Sequence, residues 1–307
     1  MDALAGLLDG PRARSAFLLR AIMRPPWSVR AQDEAPLSLV AVTKGEAWVI
    51  PDDTAPVRLT AGDVAVTRGP DPFTFADDPA TPPQVILLPG QRCRSPEGED
   101  LSERMGLGTR TWGDDLDGPV SMLIGTYQLD SEVSRRLLRS LPPLLVQRQV
   151  ETPLIPLLGQ EMSGDQPGQE VVLDRMLDLL LIAVLRAWFG DQRNSWFLAF
   201  GDPVVGAALR LLHNDPAHPW SVAELASRVG VSRATLARTF TELVGEPPMA
   251  YLTDWRLTLA ADLLREPGTT IGAVARKVGY GSSFALSTAF KRVRGISPQE
   301  HRVRSQA

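Results

Sequence analysis

The chain has 307 residues, of which 44% are hydrophobic and 22% are charged, and its formal net charge is −4. These values exclude a disordered or fibrous protein and leave room for about two globular domains. Because Cys93 is the single cysteine, neither an internal disulfide nor a cysteine-ligated zinc site can form within one chain.

The charges are distributed unevenly along the chain. Residues 203–307 contain 13 Lys and Arg against 8 Asp and Glu, a net charge of +5, whereas residues 1–202 contain 19 against 28, a net charge of −9. A basic C-terminal third on an acidic body is typical of a nucleic-acid-binding module carried by another domain. The start lacks the basic residues of a signal peptide, and the most apolar stretch, residues 176–189, is too short to span a bilayer. We therefore expect a cytoplasmic protein without a membrane partner.

Residues 36–90 are predicted to form a series of short strands. Apolar segments rich in Val, Ile and Phe alternate with turns, such as those at residues 51–53 and 61–63. Strands at this spacing are typical of an all-β barrel or sandwich. A later strand is predicted within residues 120–129, and the Gly-, Asp- and Arg-rich residues 91–118 are predicted to be a long loop.

After Asp130 the spacing of apolar residues becomes helical, in residues 131–141 and again in residues 172–189. The second segment has a wide apolar stripe, which either packs against the β domain or forms a dimer interface. We expect a homodimer, with these residues as the dimerisation set: Leu177, Leu180, Leu181, Val184, Leu185 and Trp188.

Residues 203–307 contain an internal repeat. Leu236, Phe240, Gly245 and Pro248 recur 50 positions later as Leu286, Phe290, Gly295 and Pro298. Such a repeat predicts two similar supersecondary elements. In the first copy Ser221 and Glu224 match a capping box, Gly230 ends a short helix, and Ser232 can cap the next helix. A short helix, a glycine turn and a second helix make a helix-turn-helix, and a helix beginning at Pro248 joins the two copies.

The second helix of each copy carries the predicted contacts to double-stranded DNA. Arg238 is expected to donate to guanine O6 and N7, although a solvated surface arginine is the alternative. Phe284 either touches a thymine methyl or packs within the protein, and Lys291 and Arg292 suit phosphate contacts. The full predicted DNA-binding set is Ser232, Arg233, Ala234, Ala237, Arg238, Ser282, Ser283, Phe284, Ser287, Thr288, Lys291 and Arg292.

Residues 203–307 resemble the DNA-binding domain of the AraC/XylS family. The similar C-terminal signature comprises Gly279, Tyr280, Ser282, Leu286, Phe290, Lys291, Gly295, Ser297, Pro298 and Arg302. Arg238 matches the base-contacting arginine of the family's first unit, whereas Thr288 replaces an arginine that often reaches the bases. The resemblance therefore implies weaker sequence readout by the second unit.

The N-terminal part is similar to the cupin-type sensor of one branch of this family, in residues 25–30, 44–49, 61–63, 89–93 and 141–145. No histidine lies in the predicted barrel, so a three-histidine metal site is excluded, and we predict neither a metal nor another cofactor. A barrel of this size can hold one small ligand. Cys93 is either a redox sensor or an inert buried thiol. The predicted effector-binding set, for which ordinary core packing is the alternative, is Trp27, Arg30, Trp48, Phe73 and Phe75.

These features predict an α+β multidomain protein with three regions. They are a cupin-like effector-sensing β-barrel at residues 1–130, a helical dimerisation region at 131–202, and an all-α domain with tandem helix-turn-helix units at 203–307. The predicted function is a sequence-specific transcription regulator controlled by a small-molecule effector, with RNA polymerase as a further candidate partner. Two alternatives are a ligand-independent regulator whose barrel is a dimerisation scaffold and a cupin-fold enzyme with a DNA-binding tail.

Overall fold

The computed structural model describes residues 17–127, 132, 133, 135, 138, 141–164, 166–191 and 195–306. They form two compact units, one within residues 11–129 and 138–191 and the other within residues 130–137 and 192–307. Residues 131–202, predicted to be a helical dimerisation and linker region, contribute to both units. Across the described residues, no helix combines the length and the apolar character needed to cross a membrane.

The first unit is built on β-strands. In the described part of the chain the strands have the following bounds: β1 Phe17–Met23, β2 Ser28–Ala31, β3 Leu37–Lys44, β4 Glu46–Pro51, β5 Val57–Thr60, β6 Val64–Arg68, β7 Phe73–Ala76, β8 Val85–Leu88, β9 Arg92–Arg94, β10 Gly106–Gly108, β11 Thr111–Gly113, β12 Val120–Tyr127 and β13 Leu144–Gln147. They form a seven-stranded sheet in the order β10-β11-β1-β12-β3-β6-β13 and a six-stranded sheet in the order β5-β4-β7-β2-β8-β9. The predicted cupin-like β domain is confirmed.

The core of this unit lies between the two sheets. Alternation along each strand sends every second side chain inward. On β3, Val40 and Val42 belong to this core, whereas Leu39 and Ala41 are buried on the other face of the sheet.

The prediction of a long loop at residues 91–118 was wrong. This stretch contains β9, β10, β11 and a short helix, α1, at Ser102–Met105. The strand β1 was also missed. It lies between β11 and β12, with Ala21 in the core and Arg20 donating to the Gly159 carbonyl on the other face. The sequence of a strand that is covered on both faces is a nearly continuous apolar run, so it lacks the alternation that identifies a half-exposed strand.

Two helices, α2 at Leu154–Glu161 and α3 at Gln169–Asp191, cover the outer face of the seven-stranded sheet. The Tyr127 hydroxyl of β12 donates to the Leu177 carbonyl at 2.8 Å. Gly125 of the same strand leaves room for the helix, since a Cβ there would lie 2.6 Å from Leu177 Cδ1. The apolar stripe of α3 therefore packs on the β-sheet of its own unit.

This packing revises the predicted dimer interface. The assigned side chains are buried within the chain itself and cannot also face a second subunit: Leu177, Leu180, Leu181, Val184, Leu185 and Trp188. The opposite face of α3 carries exposed apolar residues, since Val172 is 44% and Leu179 is 53% exposed. A dimer contact through this helix would use that face.

Asp63 connects the end of β13 to the turn before β6. Its buried carboxylate accepts from the Thr60 N–H at 2.9 Å, the Gln149 N–H at 3.0 Å and the Arg148 guanidinium at 2.8 Å. Burial acts to raise the pKa of the Asp63 carboxyl, but the hydrogen bonds from Thr60, Gln149 and Arg148 outweigh burial, so the pKa lies below its ordinary value. The ionised carboxylate therefore stabilises the folded β unit.

The β unit is expected to lose stability when Asp63 is protonated. Because the pKa of Asp63 is lower in the folded than in the unfolded state, its contribution is present above about pH 4 and disappears as the pH falls through the folded-state pKa. Asp63→Asn should lower the free energy of unfolding at pH 7 by about 1.5–3 kcal/mol, as for a lost hydrogen bond to a charged group. Urea denaturation at pH 7 and pH 3 measures both effects. A variant with unchanged stability at pH 7 would contradict this role.

The second unit is helical, and the predicted tandem helix-turn-helix fold is confirmed. Its helices have these bounds: α4 Ser195–Gly201, α5 Val205–Asn214, α6 Val222–Arg228, α7 Arg233–Val244, α8 Pro248–Arg265, α9 Ile271–Lys277, α10 Ser283–Arg294 and α11 Pro298–Gln306. One apolar cluster surrounds Phe240 of α7, and another surrounds Phe290 of α10. The long helix α8 contributes to both clusters and connects the two repeats.

The two repeats use the same local signals. Ser221 caps α6 and Thr270 caps α9, each accepting from a backbone N–H three residues later. The following turns contain Gly230 and Gly279, with φ of 75° and 86°. Glycine suits these turns because other residues rarely adopt positive φ.

Glu132 and Val133, which lie between β12 and β13 along the chain, belong to the helical unit. Asp262 of α8 accepts from the Glu132 N–H at 2.6 Å and from the Val133 N–H at 3.2 Å. The Glu132 carboxylate pairs with Arg294 at 2.9 Å, and both side chains are largely buried. Burial acts to raise the pKa of Glu132, but Arg294 and Arg135 lower it below its ordinary value.

Candidate nucleic-acid interface and effector cavity

Helix α7 has one buried face and one exposed face. Ser232 caps the helix by accepting from the Thr235 N–H at 3.1 Å, while Leu236 and Phe240 are fully buried. The predicted DNA-binding residues Ser232, Arg233, Ala234 and Arg238 are exposed, and Ala237 is half-buried. The structure therefore brings the predicted residues of the first unit together on one surface.

Arg238 is held in place by its own helix. Its guanidinium pairs with Glu242, one turn later, at 3.1 Å, and 66% of the Arg238 side chain remains exposed. An exposed pair of this kind contributes about 0.3–0.5 kcal/mol to stability. Arg238 is thus accessible, and little folding energy depends on it.

Helix α10 has the same plan with different side chains. Ser282 caps it by accepting from the Ala285 N–H at 3.1 Å, and Leu286 and Phe290 are buried. Phe284 is 80% exposed, so it does not pack within the protein. Of the other predicted residues of this unit, Ser287 is half-buried. The rest are exposed: Ser282, Ser283, Thr288, Lys291 and Arg292.

Three arginines of the helical unit have internal roles. Arg256 donates to the carbonyls of Pro216 and His218, and Arg302 donates to those of Leu264 and Thr269. Arg294 pairs with Glu132. These arginines hold connections between helices, so they are not available to DNA in this arrangement.

The sequence interpretation missed two exposed cations, Arg276 and Lys277. They lie in the last turn of α9, the first helix of the second helix-turn-helix. The first helix of such a unit crosses the DNA backbone. Their position within the repeat was the signal that could have made them candidates for phosphate contacts.

A cavity of about 110 Å³ lies between the two sheets of the β unit. Trp27, Phe73 and Phe75 line it, as predicted for effector contacts. The sequence interpretation missed most of the opposite wall, including Ser38, Val40 and Met122. Alternation along β3 and β12 was the signal that could have placed them inside.

Arg30 and Trp48, the other predicted effector residues, lie outside this cavity. Arg30 is flanked on β2 by Val29 and Ala31, which face inward, and its guanidinium pairs with Asp52 at 2.6 Å. Trp48 lies between Ala47 and Val49, which are fully buried core residues. Both residues therefore point to the outer face, because neighbouring side chains on a strand face opposite sides.

Cys93 lies on the cavity wall and is 3% exposed. Burial raises the pKa of its thiol, and a weaker hydrogen bond with Trp112 lowers it, for a net increase. The thiol therefore stays neutral near pH 7, which disfavours the reactive thiolate of a cysteine sensor.

Comparisons with known proteins agree with both units. Residues 2–190 match the family model described as Cupin, and residues 225–304 match the model described as Helix-turn-helix domain. The chain is 34% identical to an AraC-like transcription regulator of Streptomyces antibioticus and 33% identical to one of Streptomyces lividans, with 98% of each chain covered in both cases. It is 27% identical to the HTH-type transcriptional regulator AlkR of Acinetobacter baylyi, over 99% of this chain and 100% of AlkR.

Full-length similarity, the cupin-type N-terminal domain and the tandem helix-turn-helix units lead to one assignment. The chain belongs to the AraC family of DNA-binding transcription regulators.

Proposed function

We propose that this regulator reads an asymmetric DNA site by inserting α7 and α10 into successive turns of the major groove. The observation that carries the proposal is the pair of capped helices, each with one buried face and one face exposing the predicted contacts. Two recognition helices on one chain fit one face of the duplex when they are spaced by about 34 Å, one turn of DNA.

The two helices are assigned different roles. Arg238 of α7 supplies base discrimination, because its planar fork matches guanine O6 and N7. Phe284 of α10 supplies an apolar contact to a thymine methyl. Lys291 and Arg292, together with Arg276 and Lys277, bind phosphates and set affinity rather than sequence preference.

The cavity in the β unit is proposed to bind a small effector. Binding there would change the DNA affinity only if the ligand prefers one of two conformations of the chain. Trp27, Phe73 and Phe75 are the contacts supported from both sequence and geometry. The alternative is a β unit that serves only as a scaffold, and a saturable ligand would contradict it.

Three further features belong to this proposal. A homodimer would use the exposed face of α3 around Val172 and Leu179. RNA polymerase is the protein partner expected for an activator. Because double-stranded DNA is the partner, we place the protein in the bacterial cytoplasm and assign it no enzymatic reaction.

Selection of bound duplexes from a random pool tests the DNA-reading proposal. The full chain should enrich an asymmetric site with two conserved elements about 10 base pairs apart, one for each recognition helix. The element read by α7 should be the more strongly conserved, since Arg238 supplies the bidentate contact. A pool that shows no enrichment after repeated rounds would contradict sequence-specific binding.

A further inference from the structure

The polar groups of the β-unit cavity define the kind of molecule that it accepts. Most of its wall is apolar, formed by side chains such as Val40, Phe75 and Met122. Among the described residues that line it, none is Lys, Arg or His, and Asp33 is the charged one. An anionic ligand would therefore lose its water without gaining a cationic partner and would be repelled by Asp33.

Two buried polar groups on the cavity wall have no partner in the protein. They are Trp27 Nε1 and Ser38 Oγ, in residues that are 1% and 3% exposed. Trp27 directly precedes β2 of the six-stranded sheet, and Ser38 lies on β3 of the seven-stranded sheet. The unsatisfied groups thus belong to opposite walls. A buried polar group without a hydrogen bond costs free energy, so both favour a ligand that supplies one.

Further hydroxyl side chains lie beside Ser38. In the register of the sheet, Ser38 lies opposite Thr126 on β12 and opposite Thr67 on β6. Neighbouring core residues on these strands indicate that all three side chains lie on the inner face. The buried Thr67 hydroxyl also has no partner. Three hydroxyl side chains on adjacent strands therefore form one row, next to a cavity that is otherwise apolar.

The indole N–H of Trp27 can only donate, whereas the serine and threonine hydroxyls can donate or accept. The Trp27 N–H can be satisfied only by an acceptor on the ligand, so an ammonium group would leave it unpaired even when it pairs with Asp33. The volume of about 110 Å³ limits the ligand to about the size of one small ring, since a larger dry apolar cavity of about 150 Å³ accommodates benzene.

We propose that this cavity binds a small, uncharged, largely apolar molecule with one hydrogen-bond-accepting oxygen, such as a phenol, alcohol or ketone. Ser38 contacts the oxygen from one wall, Trp27 offers a donor from the opposite wall, and the aromatic and aliphatic side chains surround the rest. The proposal rests on the proposed effector site and specifies its ligand class.

The test uses the full chain and four probes with one ring and nearly equal size: benzyl alcohol, toluene, benzoate and benzylammonium. Calorimetry and thermal shift measure binding. Benzyl alcohol should bind saturably, and toluene about five- to tenfold more weakly, because it lacks the hydrogen bond. Benzoate and benzylammonium should show no saturable binding at the same concentrations. Tighter binding of benzoate or benzylammonium than of benzyl alcohol would overturn the proposal, as would no binding of any probe.

Ser38→Ala separates a ligand contact from a structural role. Removing an unsatisfied hydroxyl should leave the melting temperature of the free protein unchanged or higher, while the preference for benzyl alcohol over toluene disappears. The matched control is Thr54→Ala at an exposed turn hydroxyl, which should keep that preference. A Ser38→Ala protein with the full preference would overturn the assignment of the polar contact.

DNA binding measured on the same samples distinguishes the two levels of the proposal. If benzyl alcohol binds but leaves the affinity for a selected duplex unchanged, the ligand class holds and effector control fails. If benzoate binds instead and changes the DNA affinity, effector control holds and the ligand class fails.

Discussion

Arg238→Ala is expected to bind its specific DNA site about 5- to 150-fold more weakly than the parent chain. A bidentate arginine–guanine contact is worth about 1–3 kcal/mol of discrimination, which corresponds to this range. Arg238 makes only an exposed pair with Glu242, so the fold should be unaffected. Fluorescence anisotropy with the selected duplex and with random DNA measures the effect, and random DNA should lose much less affinity.

Lys291→Ala is the matched control for that experiment. Lys291 is an exposed cation on the other recognition helix, without the planar fork of arginine. Its removal should weaken binding to both DNAs alike. It should also reduce the slope of log affinity against log salt concentration by about 1. If Arg238→Ala behaves in the same way as Lys291→Ala, Arg238 is a phosphate contact and the base-reading assignment is contradicted.

Phe284→Ala is expected to weaken specific binding by about tenfold or more without destabilising the protein. The side chain is 80% exposed in the free chain, so its burial against a thymine methyl would contribute about 1.5 kcal/mol or more to binding. The melting temperature should be unchanged, because the removed ring makes little contact with the fold. Anisotropy and thermal denaturation of the same variant measure both quantities.

Leu116→Ala provides the control for Phe284→Ala. Leu116 is 61% exposed and belongs to the β unit, so its truncation removes exposed apolar surface from a unit that contains neither recognition helix. DNA affinity should not change. A Phe284→Ala protein with normal affinity and a lower melting temperature would show that Phe284 stabilises the fold instead.

The helical unit was predictable because its signals are local. Ser221, Gly230 and Ser232 specify the ends of adjacent helices through hydrogen bonds and backbone conformation within a few residues. The second copy contains equivalent signals, so the helices predicted in each copy support those predicted in the other. The faces of α7 and α10 then follow from helical spacing alone.

The β unit was less predictable because its strands pair over long sequence distances. β1 pairs with β11, about 90 residues later, and β9 to β11 have only three residues each, too few to show alternation. Arg30 and Trp48 were misplaced for another reason. Both lie between inward-facing neighbours, so strict alternation would have assigned them to the outer face.

The apolar stripe of α3 shows a limit of periodicity. A pattern of apolar residues identifies the face that is buried but not the surface that covers it. Leu177 is covered by β12 of the same chain, through Gly125 and Tyr127, and this partner becomes visible only in three dimensions. The candidate dimer surface is therefore the less apolar face around Leu179.

Direct comparison of specific and nonspecific DNA binding tests the central claim most directly. Fluorescence anisotropy of the full chain would be measured with the duplex selected from the random pool and with a random duplex, over a range of salt concentrations. We expect the affinity for the selected duplex to be at least about a thousandfold higher than for random DNA at physiological salt. Equal affinities that fall together as salt is raised would contradict sequence-specific reading by α7 and α10.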